Sequence, residues 1–162
     1  MKFITQINSI PPAVAATAAL IAPVVAEARQ VTFETTLKAY GGNGAYVVLY
    51  VTDAAGAYKG TLWMAGGKAK YYRHLSDWQR ASGGRATEID GITGASIGSG
   101  KTLKISLDLA DAMIDVGYKV HVDTAVEDGL DNPSEVVVPL DTAASGKPAP
   151  GKGYVKSFSV TF

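Results

Sequence analysis

The chain has 162 residues, with 15 basic and 15 acidic side chains that cancel, and it contains no cysteine. That length suits one domain that buries a real core without cross-links, and the absent net charge excludes a field that draws the protein to nucleic acid or anionic lipid. The missing cysteine excludes disulfides, thiol catalysis and cysteine-ligated zinc or iron–sulfur centres together.

Residues 1–28 read as a cleaved secretory signal peptide. Lys2 is a minimal positive start, residues 13–22 are an uncharged apolar run, Pro23 breaks it, and Ala26-Glu27-Ala28 follows as a small-x-small cleavage site. A membrane-spanning helix wants ~20 apolar residues, and this run is about half that length. Cleavage after Ala28 leaves a mature chain, residues 29–162, with no second run of spanning length. The expected location is periplasmic or secreted, and there the fold must hold by packing alone.

In the mature chain, Val31, Phe33, Thr35 and Leu37 alternate with Thr32, Glu34, Thr36 and Lys38, the period of a half-buried strand. Residues 46–52 are apolar on both faces and read as a central strand. Residues 53–56 form a turn and 58–64 return as the hairpin partner. Leu75 and Trp78, three apart, predict one short helical turn that buries both, and Ser82-Gly83-Gly84 ends it. Residues 90–100 form a polar, glycine-rich loop. Leu103, Ile105, Leu107 and Leu109 then alternate as a strand. Tyr118, Val120, Val122 and Val126 make another, with His121 and Asp123 on its outward face. Residues 135–141 and 154–162 supply the last two strands. About seven strands, turn-rich loops and one short helix predict an all-β, antiparallel, immunoglobulin-like sandwich forming a single domain.

Residues 95–102, Ala-Ser-Ile-Gly-Ser-Gly-Lys-Thr, match a permissive nucleotide-binding loop. That chemistry needs a buried strand before the loop and a helix after it, so that backbone N–H groups meet the phosphates. Here polar Thr87-Glu88-Ile89-Asp90 precedes and a strand pattern follows, so the match is rejected.

The same loop carries a second pattern. Asp90-Gly91-Ile92-Thr93-Gly94-Ala95-Ser96 resembles the acceptor motif of covalently flavinylated extracytoplasmic proteins: an Asp, two residues, then Ser/Thr-Gly-Ala-Ser/Thr. In those families a magnesium-dependent flavin transferase splits FAD and esterifies the last hydroxyl of the motif with FMN. The resemblance implies Ser96 as the attachment point, with Asp90, Thr93, Gly94 and Ala95 as its flanking motif. Serine stands there in place of the commoner threonine. An acceptor must enter another enzyme's active site, which calls for an exposed, mobile loop of small residues.

Most of the mature chain is also similar to an uncharacterised family of small predicted periplasmic proteins. The likeness runs through residues 46–56, a Leu-x-x-Trp segment at Leu75, Asp77, Trp78 and Arg80, the 90–96 loop, Gly117-Tyr118 and Glu127-Asp128-Gly129. It implies a redox setting beside PepSY-type membrane proteins and flavin transferases. The expected function is therefore extracytoplasmic electron transfer through covalent FMN, as a carrier more than a self-contained enzyme. The rival is a non-catalytic module that offers Tyr71, Tyr72 and Trp78 to a ligand or protein. His74 with Asp77, or His121 with Asp123, would each give a metal only two ligands. The acidic stretch Asp123, Glu127, Asp128, Asp131 and Asn132 lacks calcium-loop spacing. No catalytic residue and no metal site is assigned.

Overall fold

The computed structural model describes residues 27–162, so of the expected signal peptide only Glu27 and Ala28 fall within it. Two sheets make up most of the domain. In the first, β1 (Ala28–Leu37) lies between β5 (Thr102–Ala110) and β8 (Val155–Thr161), antiparallel to both. The second has the order β4 (Thr93–Gly94), β3 (Tyr58–Ala65), β2 (Ala45–Thr52), β6 (Lys119–Val126) and β7 (Asp131–Pro139). All its pairings are antiparallel except β3 with β4.

The alternation in β1 turns Val31, Phe33 and Leu37 inward, where they pack with Phe158 and Val160 of β8 and with Val47, Leu49 and Val51 of β2. Burying each such side chain contributes ~1.5–3 kcal/mol. Every residue of β2 is buried, because its other face is covered as well. Tyr46, Val48 and Tyr50 pack under a third layer made of two short 3-10 turns (Ala69–His74 and Ala86–Ile89) and helix α1 (Ser76–Ser82). Leu75 and Trp78 anchor that layer at 0% and 1% exposure.

The seven expected strands are all present, with two differences. β7 begins at Asp131 and not at Glu135, because Pro133 is tolerated on an edge strand; Ser134, at φ 42°, lies where the β6–β7 register shifts. The 90–100 loop contains an eighth, two-residue strand, β4. After Gly100 the chain runs as β5, so no helix follows the nucleotide-loop string.

The outward face expected for His121 and Asp123 is not outward. The helical layer lies on it, leaving Asp123 fully buried and His121 half-buried. A helix of two turns leaves too weak a periodic signal to show that it covers a sheet.

Candidate functional site

The 93–97 segment is held on both sides of Ser96. On one side β4 joins the edge of β3: Met64 N–H donates to Ile92 O at 2.9 Å and Gly66 N–H to Gly94 O at 2.8 Å. On the other, Ile97 exchanges two backbone hydrogen bonds with Ala45, at 2.9 and 2.7 Å. The Ile97 side chain is buried in the core between the sheets. Successive side chains in extended backbone point to opposite faces, so Ser96 points away from that core, and it is exposed. The loop is thus a stitched bridge; the mobility expected of an acceptor loop is replaced by fixed presentation.

Two glycines shape the surroundings. A Cβ on Gly44 would stand 2.7 Å from Ser96 Oγ, so only glycine leaves that hydroxyl its place. A Cβ on Gly94 would stand 2.8 Å from Trp63 Cζ2, so the motif glycine is what lets β4 approach the indole. Thr93 Oγ1 donates to Ile89 O at 2.9 Å and ties the motif to the preceding 3-10 turn. Asp90 and Ala95 are exposed, Asp90 in the turn before β4.

Gly44 lies two residues before Tyr46 and so shares its face, the one under the helical layer. Tyr46 lies against Gly66, whose N–H is bonded to Gly94. Beyond Tyr46 opens a cleft of about 350 Å³ lined by Tyr46, Tyr71, Arg73, His74, Glu127 and Asp128, among others. The Tyr46 and Tyr71 rings are 5.3 Å apart at 56°. Tyr71 Oη donates to the Glu127 carboxylate, Lys70 Nζ lies 4.7 Å from the Tyr71 ring centre, and His74 Nδ1 is 3.0 Å from Asp131 Oδ2.

A separate polar cluster lies between α1 and the sheet. Leu75, at the N-cap of α1, provides no capping side chain. Asp123 of β6 takes that part: its carboxylate accepts Trp78 N–H and Ser134 N–H, both at 2.8 Å. Burial pushes the Asp123 carboxyl above its ordinary value against those bonds. Ser134 Oγ donates to Asp77 at 2.7 Å and lies 3.4 Å from His121 Nδ1, while His121 Nε2 is 2.9 Å from Thr52 Oγ1. Serine, histidine and aspartate meet here, but the serine proton goes to Asp77, and the tyrosine cleft is lined by other residues. The cluster fastens α1 to the sheet.

His74 pairs with Asp131 and not with Asp77, which meets Arg80 and Ser134 instead. The acidic stretch is divided: Asp123 caps α1, Glu127 accepts from Tyr71, and Asp131 holds His74. Among the described residues no three His, Asp or Glu side chains converge as a metal site. Trp78 is buried, its indole N–H donating to Thr61 Oγ1 at 2.8 Å, so it is a core residue and not a presented one. Gly44, Tyr46, Gly66 and Glu127 were not legible as site residues, since the Ala45–Ile97 bridge, the β3–β4 pairing and the β2–β6 pairing together bring them there.

Fold and site together define a two-sheet β domain with a helical cover and a glycine-flanked serine bridge at one end. The family model "Predicted periplasmic protein (DUF2271)" matches residues 28–157, and the chain belongs to that family. It is a periplasmic protein. No curated protein and no solved structure matches the chain. No helix of the described residues is long and apolar enough to cross a membrane.

Proposed function

We propose that the protein is a periplasmic electron carrier bearing FMN on Ser96. The observation that carries this reading is Ser96, an exposed residue on a short bridge between two hydrogen-bonded anchors, with its hydroxyl over a glycine. Such a hydroxyl is open to a second enzyme and already oriented, which limits the ordering cost of docking it. A flavin transferase would form the bond from Ser96 Oγ to the FMN phosphorus of FAD. The pyrophosphate bond breaks, AMP leaves, and the serine proton passes to a base of the transferase. Once attached, the isoalloxazine supplies the redox chemistry, and this chain supplies tether, orientation and charge.

A covalent tether suits the periplasm, where a loosely held cofactor would diffuse away. The partners of this reading are the flavin transferase and a PepSY-type membrane redox protein. Co-expression with a transferase, followed by intact-mass measurement, tests it. The expected mass gain is that of FMN less one water, absent in Ser96→Ala. An unshifted native chain, or a shift that persists in Ser96→Ala, overturns the proposal.

A further inference from the structure

We infer that the cleft walled by Tyr46 and Tyr71 seats the isoalloxazine ring of a flavin tethered at Ser96; this inference rests on the reading above. Three observations lead there. First, Ser96 Oγ lies over Gly44, which immediately precedes β2 and stands two residues before Tyr46. Two residues of strand advance about 7 Å, a span that a ribityl phosphate arm crosses. Second, one wall of the cleft is linked to the motif by contact: Tyr46 lies against Gly66, and Gly66 N–H is bonded to Gly94 O at 2.8 Å. At φ 121° Gly66 holds a conformation that L side chains resist, and any side chain there would meet the Tyr46 ring. The wall of the cleft is therefore built on the same residue that anchors the loop.

Third, the lining suits a flat heteroaromatic ring. The cleft, at about 350 Å³, falls in the ordinary range of ligand sites, ~300–1,000 Å³. Two tilted tyrosines give it an aromatic wall. Arg73, whose Nε donates to His74 Nε2 at 3.4 Å, brings positive charge to a ring that becomes anionic on reduction. Of the acids on the opposite rim, Glu127 is already engaged by the Tyr71 hydroxyl and Asp131 by His74, while Asp128 remains exposed.

Flavinylated protein tests the seat by two readouts that attachment alone does not move. A tyrosine in contact with a flavin quenches its emission, so the native protein should fluoresce several-fold less than free FMN. Tyr71→Ala should recover most of that emission with the full FMN mass retained. Arg73→Glu, at an exposed position, should lower the flavin midpoint potential in a dithionite titration, while Lys156→Glu on the far sheet leaves it unchanged. Full mass gain with FMN-like emission in the native protein, and no response to Tyr71→Ala or Arg73→Glu, overturns the seat and leaves the attachment standing. Absence of any mass gain overturns both.

Discussion

Replacing Trp78 by alanine tests whether the helical layer is held as described. The side chain is 1% exposed, and its indole N–H donates to Thr61 Oγ1 at 2.8 Å. It packs beneath Tyr72, with ring centres 6.1 Å apart, and shares its cluster with Leu75, Val48 and Ile89. Truncating a buried tryptophan to alanine costs ~3–5 kcal/mol in lost burial and residual cavity. A domain of this kind has ~5–15 kcal/mol in total, so Trp78→Ala forfeits a large share. Trp78→Phe keeps an aromatic ring and loses the N–H. Thr61 Oγ1 is still hydrogen-bonded to Tyr58 Oη at 2.6 Å, so no buried oxygen is orphaned, and the cost falls to ~1–2 kcal/mol. Urea unfolding followed by circular dichroism measures both. A loss below ~1 kcal/mol for Trp78→Ala would mean that the layer does not depend on this anchor, and the reasoning would be refuted.

Two further outcomes are expected. Burial holds the His121 imidazole below its ordinary value of 6.5, opposed by the Asp77 charge and aided by Lys119. A folded-state value below the unfolded one gives stability that is present above pH ~6.5 and lost as pH falls through the folded value. Asp123, raised by burial, acts in the opposite sense: its contribution is present below the ordinary carboxyl value and is lost as pH rises. His121→Gln should therefore flatten the acid-side decline between pH 7 and 5 in a denaturation series (roughly the window set by the lowered value), and an unchanged slope would contradict the assignment. Gly44→Ala places a methyl 2.7 Å from Ser96 Oγ and must displace that hydroxyl. Slower modification by the transferase is expected, with an overpacking cost of ~1–3 kcal/mol at most; a time course of mass gain equal to that of the native chain would count against a fixed Ser96 geometry.

The strands were legible because β1 and β5 alternate cleanly and β2 is apolar up to Val51. The burial of β2 on both faces did hint at cover on both sides, yet the cover comes from a single two-turn helix and two 3-10 turns. Only Leu75 and Trp78 carry a signal for that layer, and two residues cannot say which sheet face they meet. His121 and Asp123 were misplaced outward for the same reason. β4 was invisible because two residues of parallel pairing leave no period. In the site, the motif from Asp90 to Ser96 could be read directly, since its residues are consecutive. The cleft could not, because Tyr46, Tyr71 and Glu127 meet only through the β2–β6 pairing and the fold-over of the helical layer. Gly44 and Gly66 have meaning only as close approaches, which sequence does not display.

Peptide mapping by tandem mass spectrometry of the protein recovered from a periplasm that contains a flavin transferase addresses the central claim most directly. The expected result is an FMN phosphoester on the peptide that carries Ser96, localised to that hydroxyl. An unmodified Ser96 in that preparation, or flavin bound at another residue, would contradict it.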